Sequence, residues 1–178
     1  MFETLTRVPD DPILGISAAF KRDNTPLKVD LGVGVYKDDQ GNTPVPAAVH
    51  RAESEIIAAQ KTKTYLTPVG NPGFNAQVTE LVTGADLAGR KGQWAAAQAP
   101  GGSGALRLGA ELLRLSSPGS KVYVSDPTWA NHIPLLGSTG LPLGRYPYYS
   151  AARHAVEFDR MMACLESLPG ATVVLLHA

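Results

Sequence analysis

The stretch APGGSGALRLGAELL, Ala99–Leu113, places three glycines and a serine in four consecutive positions directly ahead of an apolar-striped segment. Read as a strand end (QWAAAQAP), a glycine-rich turn and a helix over Gly104–Leu115, it is one βα unit. Glycines at that junction let backbone N–H groups approach an anion closely, and the helix N-terminus adds a favourable dipole. Ser103 can add a hydroxyl. The chemistry this suggests is phosphate binding; the alternative is a tight turn that only needs positive φ. The spacing matches neither G-x-G-x-x-G, because the third position counted from Gly102 falls on Arg107, nor the Gly-Lys-Ser/Thr ending of a P-loop.

The same rhythm continues outward from this unit. KVYVSDP reads as a strand closed by Pro127, NHIPLLGSTG as a short helix interrupted by Pro134, and LPLGRYPYY as extended. FDRMMACLESLPG reads as a helix ended by Pro169-Gly170, and ATVVLLHA as a buried strand. Strands rich in valine and leucine alternating with helices predict a mostly parallel α/β sheet covered on both faces. Toward the N-terminus, Asp11–Asp23 predicts a helix with Asp11 at N-cap and Pro12 at N1. An extended run ends in a turn at 39–42. A second helix carries apolar spacing through Val45, Val49, Ala52, Ile56 and Ile57, and a third is stopped by Gly84.

Composition narrows the function. Sixteen basic and sixteen acidic residues give a net charge of zero, so nothing draws the chain to nucleic acid or anionic lipid. No apolar run approaches the ~20 residues of a membrane helix. The start, MFETLTRVPDDP, lacks the pattern of a secretory signal. Cys164 is the single cysteine, which excludes an intrachain disulfide and a cysteine-based zinc cluster and fits a reducing cytoplasm. Asp38-Asp39 reads as a turn, because no further carboxylates stand at metal-binding spacing. His50 and His154 read as surface residues, Cys164 as core. The tyrosines at 146, 148 and 149 read as packing.

A second functional signal follows the next strand. In VSDPTWANH, Val124–His132, Trp129 and His132 emerge at the carboxyl edge of the sheet, where open α/β sheets bind ligands. An indole there can stack on a flat ring, and a histidine can tune the ring's polar partners. The alternative is a core tryptophan beside a helix-capping Asp126. A phosphate anchor and a stacking platform on neighbouring strand ends together describe an aromatic phosphate ester.

DPILGI, KVDLGVGVYKDDQGNTPV, KTYL, APGGSGALRLGAELL, VSDPTWANH and VVLLHA follow one another as in the aspartate/aromatic aminotransferases, class I, fold-type I enzymes dependent on pyridoxal phosphate. The chain resembles that family along essentially its whole length. The resemblance implies a three-layer α/β/α large domain with a mostly parallel sheet over residues 45–178. It makes residues 1–44 an N-terminal arm and the first segment of a small domain. It implies that Gly102, Ser103 and Gly104 hold the cofactor phosphate and that Trp129 stacks on the pyridine ring and touches the substrate carboxylate. His132 and His177 would support the ring-nitrogen network, with Asn131 in the same motif. Gly34 would meet the substrate carboxylate, and Ile13, Leu14 and Val33 would form an apolar lid. Tyr65 would reach the phosphate of a second subunit, which implies a homodimer with shared active sites.

The implied reaction moves an amino group from aspartate, glutamate or an aromatic amino acid to 2-oxoglutarate, and GGSGAL, SDPTW and YPYY lean toward the aromatic branch. The family's Schiff-base lysine is not found among these residues; Lys28, Lys61, Lys63 and Lys121 stand outside its context and read as surface groups. A chain of these residues alone is therefore expected not to transaminate, and the sequence reads as the amino-terminal part of the enzyme. Two other readings stay open. One is a non-catalytic fragment that binds pyridoxal phosphate or dimerises. The other is an unrelated α/β nucleotide-binding module.

Overall fold

The computed structural model describes residues 3–4, 12–30, 32, 34–84 and 92–177, with the side chains of residues 12–14 left out. The chain divides into two compact units, Met1–Lys63 and Thr64–Ala178.

In the first unit, helix α1 spans Pro12–Arg22, as expected from Pro12, while its predicted cap Asp11 lies outside the described residues. Lys21 and Arg22 in its last turn complement the negative end of the helix. Lys28 is exposed, as expected of a surface lysine, and donates to the Phe20 carbonyl at 2.7 Å, 4.3 Å from the Phe20 ring centroid. The predicted turn is held by Asp38, whose carboxylate accepts from the Gln40 and Asn42 N–H groups at 3.0 and 2.8 Å. The Asn42 amide is the main reason that carboxyl titrates below its ordinary range. Helix α2, Ala47–Ala59, forms where its periodicity places it, but every residue of it is exposed, Ile56 and Ile57 included.

The second unit begins with a loop bridged between Thr67 and Gly70 and with helix α3, Pro72–Thr83. Asn71 caps α3 by accepting from the Phe74 N–H at 3.1 Å, Pro72 occupies the first turn, and Gly84 ends the helix at φ 81°. The predicted strand in QWAAAQAP does not form a ladder. Its Gln98 N–H donates instead to the Val69 carbonyl at 2.9 Å, and the Gln98 side chain accepts from the Asn71 N–H at 3.0 Å. Asn75 bridges to the Val69 and Ala96 carbonyls. Backbone groups that would otherwise pair in a sheet are thus satisfied locally.

Helix α4 spans Gly101–Ser116, three residues earlier than expected, so the glycine cluster is its first turn rather than a preceding loop. Strand β1 follows at Val122–Asp126, helix α5 at His132–Gly137 and strand β2 at Leu143–Pro147. Short strands β3, Tyr149–Ser150, and β4, Ala155–Val156, form an antiparallel pair. Helix α6, Phe158–Glu166, leads to strand β5, Val173–Val174. The main sheet has the order β2-β1-β5 and is parallel throughout, which bears out the α/β expectation.

The core is small and sits under β1. Ala110, Val122, Val124, Leu136 and Leu141 are buried, and Leu113 and Ile133 pack against them. Two packing expectations change. Cys164 is half-buried rather than in the core. Strand β5 is likewise half-buried, because an apolar groove of about 630 Å3 opens between it and α4. Gly144 in β2 lies beneath the Tyr123 ring, where a Cβ would stand 2.6 Å from a ring carbon.

Candidate functional site

Three segments converge at the carboxyl ends of the parallel strands, the edge where such sheets collect ligands. Beyond β1, the cis Asp126–Pro127 bond turns the chain into Thr128 and Trp129. Beyond β2 come Tyr148 and Tyr149, and beyond β5 comes His177. With Pro127 and Val156 these residues line an open cavity of about 390 Å3. Its wall is largely aromatic and apolar, which suits a flat ring.

Trp129 and His132 are set by the start of α5. The His132 N–H donates to the Trp129 carbonyl at 2.9 Å, and the two rings meet edge to face with centroids 5.2 Å apart. His132 is buried, its Nδ1 lies 2.8 Å from the Thr128 hydroxyl, and its ring meets that of His177 at 5.1 Å and 82°. Burial, and then the proximity of His177, holds His132 below its ordinary pKa of 6.5. The site thus contains a neutral, oriented imidazole at physiological pH. Asp126, weighed as a helix cap, pairs with Arg145 at 3.0 Å instead; α5 has Asn131 at its N-cap and no side-chain cap bond.

The glycine cluster lies one βα unit earlier. Pro100 stands at the N-cap of α4 and no side chain caps the helix. The leading N–H groups of a helix have no intrahelical partner and carry its positive end, so they favour an anion. The three glycines differ in what demands them. Gly101 has φ +68°, which only glycine adopts without strain. Gly104 is half-buried against Pro100, whose Cδ would lie 3.0 Å from an added Cβ. Gly102 has neither a positive φ nor any atom within 4 Å of an added Cβ. No contact within the described protein requires glycine at 102, whereas close approach of an anion would. The tight-turn alternative thus accounts for Gly101 alone.

Cup and platform are neighbours. Ser103 and Asn131, two residues past Trp129, line a smaller cavity of about 230 Å3 with Pro134, Leu135 and Ser138. Arg107 clamps α4 to α5, donating to the Ser138 hydroxyl and to Glu111, both at 2.6 Å. Arg114 also bonds Glu111, and first Arg114, then Arg107, holds that carboxyl below its ordinary pKa.

The structure gathers Trp129, His132 and His177 at one strand edge and sets Ser103 in a cavity with Asn131, while Gly102 lines the apolar groove between α4 and β5 and Gly104 packs on Pro100. Tyr65 is fully exposed and does not line the aromatic cavity. Gly34 is exposed and belongs to the first unit. Val33 lies outside the described residues, as do the side chains of Ile13 and Leu14. Sequence reasoning missed Thr128 and the lining role of Tyr148 and Tyr149. The alternation in YPYY signalled a strand, but not that its last two tyrosines pass beyond the strand end. Among the described residues no three His, Cys, Asp or Glu side chains come close enough to hold a metal ion, and no helix is long and apolar enough to cross a membrane.

The family profile for aminotransferase class I and II matches residues 26–178. An aspartate aminotransferase of Escherichia coli (strain K12) is 41% identical over 178 residues, 99% of this chain and 45% of the relative. An aromatic-amino-acid aminotransferase of Pseudomonas aeruginosa is 43% identical, with 99% and 44% covered. An aromatic amino acid aminotransferase structure from Burkholderia cenocepacia J2315 superposes with a TM-score of 0.91 at 40% identity, over 99% of this chain and 45% of that one. One from Burkholderia pseudomallei, described as covalently bound to pyridoxal phosphate, gives 0.90 at 41% identity, again over 99% and 45%. The chain spans about half the length of the curated relatives it matches.

Proposed function

Because the chain belongs to the class I and II aminotransferases, we propose that the whole protein transfers amino groups between aspartate or aromatic amino acids and 2-oxoglutarate, with pyridoxal phosphate as cofactor. Family membership leaves no ground for an unrelated nucleotide-binding module. The observation that carries the reading is the cavity shared by Ser103, in the uncapped first turn of α4, and Asn131, two residues past Trp129 of the Trp129–His132–His177 cluster.

The residues present fit that cofactor. It is a flat ring bearing a phosphate dianion, and when bound it supplies an electron sink for negative charge developing at an amino acid's Cα. The N–H groups of Gly102 and Ser103, which have no intrahelical partner, hold the phosphate, Ser103 adds its hydroxyl, and Gly104 lets the first turn close on Pro100. Neutral donors bind a dianion without a buried cation. Trp129 offers the indole as a platform and excludes water from one side of the ring. His132, kept neutral and fixed by Thr128, orients polar groups beside the ring without adding a buried charge. His177 extends the same network.

The remaining assignments rest on family likeness. Gly34 meets the substrate carboxylate, and Ile13, Leu14 and Val33 cover the substrate. Residues 1–44 form an arm and the first piece of a small domain, and residues 45–178 begin the cofactor-binding domain. The full exposure of Tyr65 supports its reaching a second subunit in a homodimer. A single cysteine supports a cytoplasmic location. Identities of 41% and 43% to aspartate and aromatic enzymes do not separate the donors.

The test is steady-state turnover of the whole protein with 2-oxoglutarate and either aspartate or tyrosine, in parallel with titration by pyridoxal phosphate. Turnover with at least one donor is expected, and Trp129→Leu should weaken cofactor binding. Tight cofactor binding without turnover of either donor would turn the reading into that of a non-catalytic binder. No binding at all would end it.

A further inference from the structure

We infer that Tyr146 is a positioning residue: its phenol hydroxyl, bonded to the Leu175 carbonyl, fixes the end of β5 and thereby sets the His177 ring against His132. The inference deepens the cofactor-site reading and rests on it only for what His177 serves.

The β1–β5 ladder is short. Its register covers only Val122↔Val173 and Tyr123↔Val174. The last backbone bond is the Leu175 N–H to the Tyr123 carbonyl at 2.8 Å. Past that point no backbone bond ties residues 176–177 to the sheet among the described residues, and Leu176 is exposed. Two residues after Leu175, His177 nevertheless meets His132 with centroids 5.1 Å apart.

The link that reaches furthest along β5 comes from outside its own ladder. Tyr146 sits on β2, paired with Ser125 of the intervening β1, and is 2% exposed. Its hydroxyl donates to the Leu175 carbonyl at 2.9 Å, bridging two strands that are not neighbours. Burial keeps the phenol above its ordinary pKa of 10.0, so it remains a donor at any physiological pH. A buried tyrosine serving only as filler would need its hydroxyl merely satisfied. Here the acceptor is the carbonyl from which the chain departs toward His177, and the end of so short a ladder would otherwise fray.

The experiment uses the whole protein, labelled at histidine ring protons and free of cofactor, so that its outcome does not depend on whether pyridoxal phosphate binds. In the unaltered protein a cross-relaxation peak between the His132 and His177 rings is expected, along with a slowly exchanging Tyr146 hydroxyl proton close to Leu175. Tyr146→Phe keeps the ring and removes only the donor. It should abolish the His132–His177 peak while leaving the Trp129–His132 peak intact. Persistence of the His132–His177 peak in Tyr146→Phe would overturn the inference, as would loss of both peaks together. If that variant fails to fold, the hydroxyl proton in the unaltered protein decides: rapid exchange with solvent overturns the inference, and slow exchange supports it. Failure of the cofactor titration above would remove the site reading and leave this result standing.

Discussion

The three glycines at the start of α4 predict a pattern in which stability and ligand affinity separate. Alanine at 101 must adopt φ +68°, at a cost of about 1–2 kcal/mol for an L-residue. Alanine at 104 places a methyl 3.0 Å from Pro100 Cδ and 3.1 Å from its Cγ. A proline ring cannot rotate away, so overpacking of about 1–3 kcal/mol outweighs the ~1 kcal/mol by which alanine exceeds glycine in a helix. Alanine at 102 meets nothing within 4 Å and keeps an ordinary φ, so it should leave stability unchanged or raise it by up to ~1 kcal/mol. Urea unfolding of the whole protein without cofactor should therefore rank Gly102→Ala at or above the parent, with Gly101→Ala and Gly104→Ala both below it. Pyridoxal phosphate titration should invert the position of Gly102→Ala. A methyl in front of the leading N–H groups should cost at least about tenfold in affinity, or ~1.4 kcal/mol. A Gly102→Ala protein less stable than the parent would refute the packing argument. Parental affinity in the same protein would refute the assignment of Gly102 to the phosphate.

Two further outcomes follow from the same geometry. His132 is held below its ordinary pKa of 6.5 by burial first and His177 second, so the unfolded chain binds a proton there before the folded one does. Its contribution to stability is complete above that pH and falls as pH drops through 6.5 toward the folded value, at no more than ~1.4 kcal/mol per pH unit; His132→Gln should flatten this slope in urea unfolding between about pH 7.5 and 5.5, and an unchanged slope would contradict it. Gly144→Ala would put a methyl 2.6 to 2.8 Å from three carbons of the Tyr123 ring, forcing that half-buried ring off β2 at about 1–3 kcal/mol. In a Tyr123→Ser background the loss should vanish, and a double-mutant cycle without coupling would show that the ring does not rest there.

Local chemistry made much of this protein readable in one dimension. Pro12 and Gly84 announce helix ends because they act through their own backbone, and those ends fall where expected, whereas the third helix begins at Pro72 under an Asn71 cap, ahead of the expected start at Phe74. The valine-rich KVYVSDP predicts β1, and alternation with helices predicts a parallel sheet, since both follow from short-range pattern. Glycines before a helix and an indole after a strand mark a site because the carboxyl edge of such a sheet is defined by chain direction alone.

What required the folded chain is what depends on residues distant in sequence. QWAAAQAP has strand character, yet its backbone groups bond to the 69–75 segment, a choice set by which partner lies alongside. The apolar stripe of α2 predicts a buried face, but burial needs a covering surface, and Val49, Ile56 and Ile57 remain exposed. Which tyrosine of YPYY packs and which lines a cavity depends on where β2 stops: Tyr146 lies inside it, Tyr148 and Tyr149 beyond it. The meeting of His132 with His177, forty-five positions apart in the chain, has no local signal. It exists because β1 and β5 pair side by side, and hydrogen bonding between strands is a property of tertiary neighbours rather than of sequence order.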